Sequence, residues 1–148
     1  MSQTRSLAAT YRKTTGQSLP VTMELARFDA IRLLGLESIE ESDDQAKGMI
    51  KGQSVHIQIK GRVIFSNKKS RQRVGQLNFS RQWDATLLVI YDSEYQPQSI
   101  YYATRDLLEQ QSNHENKRGS MTVAKFKAIG EQVWQAEQLS DHRISAGN

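Results

Sequence analysis

Cysteine is absent from all 148 residues of the sequence, and this absence excludes several kinds of chemistry. A disulfide framework, a thiolate zinc site and a cysteine nucleophile each require a side chain that the chain lacks. No apolar run approaches the roughly 20 residues that a membrane-spanning helix needs. The polar start MSQTRSLAATYRKT is also unlike a signal peptide. We therefore expect a cytoplasmic protein that does not enter a membrane.

Two further classes of motif are missing. Neither GxxxxGK[ST] nor GxGxxG occurs, so the sequence gives no support for a loop that cradles nucleotide phosphates. The three histidines, His56, His114 and His142, have no metal-ligand spacing, which makes a zinc hydrolase a poor interpretation.

Acidic residues are absent from one long segment. Between Gln45 and Trp83 there is no Asp or Glu, although the chain has sixteen of them. The same segment holds nine basic residues: Lys47, Lys51, Lys60, Arg62, Lys68, Lys69, Arg71, Arg73 and Arg81. A segment of one sign attracts polyanions, and the commonest polyanion in a cytosol is nucleic acid. A solvated surface loop is the alternative interpretation.

The hydrophobic patterns predict an α/β domain with a central mixed β-sheet flanked by helices. We expect a polar arm with some helical character over residues 1–17, a single domain over 18–139 and a frayed tail over 140–148. The expected helices cover 18–34, 104–111 and 122–139, and the expected strands cover 55–64, 76–79, 85–91 and 99–103.

The first of these helices should end near Gly35 and carries one acidic residue of interest. Its apolar positions include Phe28 and Ile31, while Asp29 and Arg32 are predicted on the opposite side. Glu24 shares the face of Phe28 and Ile31. It is therefore either a glutamate at the rim, favoured by the helix dipole, or a carboxylate paired with a cation or a metal.

The strand VHIQIKGR places Gln58 and Lys60 on one face, and His56 and Arg62 extend the same row. Lys60 either points to solvent or projects into a cleft that receives phosphate. Asp44 lies in a polar loop 16 residues before Lys60, with Asp43 beside it as a rival for the same role. Carboxylates can hold Mg²⁺, and a nearby ammonium can orient a metal-bound water or stabilise developing charge.

An acidic residue followed at some distance by a strand triplet ending in lysine resembles the PD-(D/E)XK nuclease superfamily. The strings GQSLPVTMELARFDAIRLLGLE, VHIQIKGR, WDATLLVIYD and VAKFKAIGEQVW are similar to small bacterial proteins placed in that group. The resemblance covers roughly residues 11–134. It implies a restriction-endonuclease-like fold and a DNA endonuclease that uses Mg²⁺ or Mn²⁺.

By this resemblance Asp44, Gln58 and Glu24 are the expected metal ligands, and Lys60 completes the catalytic set. Two departures stand out. Gln58 occupies a position where the superfamily usually has an acid, and Ser42-Asp43 precedes Asp44, which leaves Asp43 open as a ligand. A catalytically inactive DNA-binding module or complex subunit on the same fold is therefore the alternative.

The basic residues supply the expected DNA contacts. Arg62 is the candidate for a phosphate contact near the site, because it shares a face with Lys60. The loop after the strand adds Lys68, Lys69, Arg71 and Arg73. Such contacts set affinity and salt dependence without reading sequence. A homodimer would allow the protein to cut both strands.

Overall fold

The computed structural model describes residues 2–15, 22–40, 42–64, 72–112 and 121–137. The helices are α1 (Ser2–Thr15), α2 (Thr22–Leu34), α3 (Arg105–Gln111) and α4 (Val123–Ile129). The strands are β1 (Glu37–Ser38), β2 (Gln45–Ile50), β3 (Gln53–Val63), β4 (Ala85–Tyr91), β5 (Pro97–Thr104) and β6 (Glu131–Gln135). None of the helices in these ranges is long and apolar enough to cross a membrane.

The six strands form one mixed sheet in the order β1-β2-β3-β4-β5-β6. Strands β3 and β4 are parallel, and every other neighbouring pair is antiparallel. The predicted α/β class with a central mixed sheet is therefore confirmed. The parallel pair requires a crossover connection. Residues 72–84 of that connection, the crossover segment, lie over one face of the sheet.

The two faces of the sheet are covered by different elements. Side chains of α1 and α2 form one core with alternate residues of β3 and β4, including Ile57, Ile59 and Leu87. On the other face, Leu88 packs with residues of the crossover segment, α3 and α4, including Leu108. Strand β4 lies between both cores, and all seven of its residues are buried, as its unbroken apolar sequence predicted.

Local signals placed several elements correctly. Strand β3 follows the predicted alternation, and Gly35 ends α2 with a φ of 66°, a left-handed conformation that suits glycine. The Thr104 hydroxyl accepts a hydrogen bond from the Leu107 amide and caps α3, as expected.

The predicted final helix over 122–139 is wrong in its second half. Helix α4 ends at Ile129, and residues 131–135 form strand β6, which pairs with β5. Gly130 marks the change, because a Cβ added there would lie 2.9 Å from the Phe126 carbonyl oxygen and 3.0 Å from that of Tyr102. Val133 and Trp134 therefore belong to a half-buried edge strand, and not to the inner face of a helix.

Smaller differences from the sequence-based expectations concern the rest of the chain. Residues 76–79 form no strand. Residues 37–53, expected to be a loop with one short strand, contain two strands, β1 and β2. Asp29, predicted on the solvent side of its helix, is fully buried, whereas Phe28 is 40% exposed. The expected polar arm is largely helix α1, in which Arg5, Ala8 and Ala9 are buried. Residues 16–21 and the expected tail lie outside the described residues.

Candidate functional site

Three polar side chains follow one another on the face of β3 that the crossover segment covers. Gln58 is buried, and Lys60 and Arg62 are half-buried. Gln58 and Arg62 both donate hydrogen bonds to backbone carbonyls of the crossover segment. The ammonium of Lys60, between them, forms no hydrogen bond with any residue in the described ranges.

The two polar atoms of the Gln58 amide differ in their hydrogen bonding. Its Nε2 donates to the carbonyl oxygen of Leu77 at 2.9 Å and to the hydroxyl of Thr86 at 3.3 Å. Its Oε1 is buried and has no partner among the described atoms. An unpaired buried acceptor is rare in native proteins, and it indicates a place for a water or a cation.

Lys60 lies where its charge is poorly solvated. Burial lowers the pKa of its ammonium, and the neighbouring charge of Arg62 lowers it further. Asp44 opposes this shift, and Arg81 adds to it. Lys60 is therefore half-buried among charged groups.

Asp44 immediately precedes β2 and lies beside the middle of β3. Its backbone carbonyl accepts a hydrogen bond from the Ile59 amide at 2.8 Å, and this contact places it next to Lys60. Its carboxylate accepts two bonds from Arg81, at 2.9 Å and 3.1 Å, and one from the Ser42 hydroxyl at 2.9 Å. Burial raises the pKa of Asp44, but the bonds from Arg81 and Ser42 and the charge of Lys60 outweigh it. The pKa of the Asp44 carboxyl is therefore below its usual range, and the group stays ionised.

Glu24 is not joined to this group by any described contact. Its side chain is exposed in the first turn of α2, where it lines a hollow of about 740 Å³ together with Asp43 and Arg27. Asp43 thus faces the α2 side, whereas Asp44 contacts Arg81. Within the described ranges, no three His, Cys, Asp or Glu side chains lie together in a way that could hold a metal.

Arg62 uses much of its hydrogen-bonding capacity inside the chain. Its Nε donates to the carbonyl of Arg73 at 2.8 Å, and its two terminal nitrogens donate to those of Val74 at 2.6 Å and Gly61 at 2.5 Å. These bonds hold the start of the crossover segment against β3. A guanidinium has five N–H donors, and no residue in the described ranges accepts from the other two.

The other predicted phosphate ligands are divided between described and undescribed residues. Arg73 is exposed and forms an isolated β-bridge with Thr122, which joins the crossover segment to the start of α4. Lys68, Lys69 and Arg71 lie outside the described residues.

Two arginines of this region were not predicted as site residues. Arg81 holds the carboxylate of Asp44, and Arg105 organises the segment that carries Arg81. The Arg105 guanidinium donates to the carbonyls of Arg81 at 2.6 Å, Trp83 at 3.3 Å and Phe79. It also lies 4.8 Å from the centre of the Trp83 ring. The only sequence signal was that Arg81 belongs to the segment without acidic residues.

The donor set can be compared with what a hard divalent cation requires. Mg²⁺ and Mn²⁺ accept carboxylate and amide oxygens and retain several waters. Asp44 supplies a carboxylate and Gln58 supplies an amide oxygen that has no other described partner. The chemistry fits such an ion, on the condition that Arg81 gives up the carboxylate.

Comparison with known proteins adds no assignment. No protein-family model matches the chain, and no curated protein is significantly similar to it.

Proposed function

We propose that this protein is a metal-dependent DNA endonuclease with its site at Asp44, Gln58 and Lys60, on a restriction-endonuclease-like fold. The observation that carries the proposal is the position of Asp44 beside Lys60: the Asp44 carbonyl accepts a hydrogen bond from the Ile59 amide at 2.8 Å. The charge of each of the two side chains also shifts the pKa of the other. The unpaired Oε1 of Gln58 is a second support. The mixed sheet between two helical layers supports the proposed fold.

Each of these residues would have its own role in hydrolysis. Asp44 and Gln58 would hold a divalent cation, which would supply a Lewis acid for the phosphoryl oxygen and a bound water of lowered pKa. Lys60 directs its ammonium toward the phosphate, where it stabilises the negative charge that develops during hydrolysis. Glu24 remains a predicted further metal ligand. Asp43 remains the alternative to Asp44 as a ligand.

The charge of the surroundings suits a polyanionic substrate. Lys60 interacts electrostatically with Arg62, Arg81 and Asp44, so positive charges outnumber the carboxylate in this group of four side chains. A phosphodiester placed there would meet donors on two elements, β3 and the crossover segment. The phosphate contacts of Arg62, Lys68, Lys69, Arg71 and Arg73 are part of the proposal, as are a homodimer and a cytoplasmic location.

Cleavage of a labelled DNA duplex in Mn²⁺ tests this function. We expect Lys60→Ala and Asp44→Ala to lower the rate by about 100-fold or more, since each removes charge stabilisation at the reacting phosphate. Lys51→Ala is the matched control, because Lys51 is an exposed lysine of the same basic segment that pairs with Glu131. Equal rates for Lys60→Ala and Lys51→Ala would contradict the proposal.

A second function, DNA binding without cleavage, is favoured by one observation. The two-point pair between Arg81 and Asp44 occupies both carboxylate oxygens and competes with any cation. This function predicts salt-sensitive DNA binding that is unchanged by EDTA and by Asp44→Ala. Anisotropy of a labelled duplex, measured at two salt concentrations with and without EDTA, separates the two functions.

A further inference from the structure

The ion pair between Arg81 and Asp44 has good two-point hydrogen-bond geometry but is accessible to solvent. Two nearly parallel N–H···O bonds join the groups, and the side chains are 40% and 21% exposed. The pair is thus partly buried, and water and salt still reach it and compete with it. A suitable anion from solution can therefore replace the carboxylate.

The backbone of Arg81 is held by contacts that do not depend on the pair with Asp44. The Arg81 amide donates to the Asn78 carbonyl at 3.1 Å, and the Arg81 carbonyl accepts from Arg105 at 2.6 Å. Only rotation about side-chain bonds is then needed to move the guanidinium away from Asp44.

Space for this rotation exists beside the pair. A hollow of about 460 Å³ is lined by Arg81, Ser42, Gln45, His56 and Asp84, among others. Two of the five N–H donors of Arg81 bind Asp44, and no described residue accepts from the other three. The guanidinium can thus contact a phosphate in this hollow before it leaves the carboxylate.

We propose that Arg81 is a phosphate ligand that exchanges Asp44 for a nucleic-acid phosphate, and thereby frees Asp44 to bind a divalent cation. Arginine forms the same two-point contact with phosphate as with carboxylate. Nucleic acid and cation then strengthen each other's binding, since each favours the state in which the pair is open. This inference rests on the proposed function.

Mn²⁺ binding, followed by the electron paramagnetic resonance signal of the free ion, tests the exchange without any cleavage assay. Without DNA, we expect Arg81→Gln to bind Mn²⁺ about tenfold more tightly than the wild type, a common size for coupling between sites. A short phosphorothioate duplex should raise the affinity of the wild type by a similar factor and that of Arg81→Gln much less. Asp44→Asn in the Arg81→Gln background should remove the gain.

Lys47→Gln is the matched control for charge alone. Lys47 lies on β2, is 57% exposed and is 4.0 Å from Glu37, so its loss also removes one positive charge near a carboxylate. Equal Mn²⁺ affinities for Arg81→Gln and Lys47→Gln would overturn the inference. If the wild type nevertheless cleaved DNA, the proposed function would hold although the exchange by Arg81 would not. Absence of both Mn²⁺ binding and cleavage, even with the duplex, would overturn both.

Discussion

Arg5 of the first helix donates two hydrogen bonds, each 2.9 Å long, to the fully buried carboxylate of Asp29 on the second helix. The same carboxylate accepts from the Tyr91 hydroxyl of β4 at 2.7 Å, and Arg5 also donates to the Tyr95 carbonyl at 2.6 Å. Burial raises the pKa of Tyr91, and the bond to Asp29 adds to this, so the phenol stays protonated. One buried carboxylate thus joins α1, α2 and the central strand.

We therefore expect Asp29→Ala to lower the free energy of unfolding by about 3–5 kcal/mol, because it leaves a buried guanidinium without its partner. Phe28→Ala is the matched control, since Phe28 is the preceding residue and is 40% exposed. It should cost less than about 1 kcal/mol. Urea unfolding measures both variants, and similar midpoints would contradict the central position given to Asp29.

Gln58→Glu should destabilise the protein in EDTA. The amide of Gln58 donates to the Leu77 carbonyl in a fully buried position, and a carboxylate cannot donate that bond. We expect a loss of about 1–3 kcal/mol, the range for a buried polar group left unpaired. Gln53→Glu on the same strand is exposed and should be nearly neutral.

A divalent cation should restore part of the stability of Gln58→Glu. If the cation binds at this position, Mn²⁺ at about ten times its dissociation constant adds about 1.4 kcal/mol by linkage. Thermal unfolding of Gln58→Glu with Mn²⁺ and with EDTA measures the effect. An unchanged melting temperature would remove Gln58 from the proposed ligand set.

Gly61→Ala should separate α2 from the sheet. A Cβ at Gly61 would lie 2.7 Å from the Cβ of Ala26 and 3.3 Å from the Cγ2 of Thr22, so the helix must shift. Overpacking of this kind costs about 1–3 kcal/mol. Ser54→Ala, at an exposed position of the same strand, is the control. A wild-type free energy of unfolding for Gly61→Ala would show that α2 does not press on β3 as described.

Arg105→Lys should weaken the crossover segment although it keeps the charge. Lysine lacks the planar fork that reaches the carbonyls of Phe79, Arg81 and Trp83 together. We expect a loss of about 1–3 kcal/mol, typical of a broken hydrogen-bond network. Arg32→Lys is the comparison, because the Arg32 side chain is 52% exposed, and it should change stability much less. Equal losses in guanidinium unfolding would contradict the organising role of Arg105.

The sequence predicted what depends on neighbouring residues. Alternation identified β3, an unbroken apolar run identified β4, and Thr104 was recognised as a cap because its bond reaches only Leu107. The second half of the predicted final helix failed for the opposite reason. Residues 131–135 become a strand by pairing with β5, about thirty residues earlier in the chain, and a periodic pattern does not reveal such a partner.

The residues of the candidate site also divide into those that the sequence predicted and those whose contacts are distant in sequence. Gln58 and Lys60 share a face by spacing alone, and the resemblance to a nuclease superfamily singled out Asp44. Arg81 escaped prediction because its partner lies 37 residues away, and Arg105 because its contacts lie 22 to 26 residues away. Asp29 was placed on the wrong side of its helix because Arg5, 24 residues earlier, makes its burial possible.

The central claim is that Asp44 and Lys60 together hydrolyse a phosphodiester with the help of a divalent cation. Nicking of a supercoiled plasmid at rising Mg²⁺ or Mn²⁺, with the wild type beside Lys60→Ala, tests it most directly. We expect nicking by the wild type that grows with the metal concentration, stops in EDTA and is nearly lost in Lys60→Ala. Intact plasmid at every metal concentration with the wild type, or equal nicking by both proteins, would contradict it.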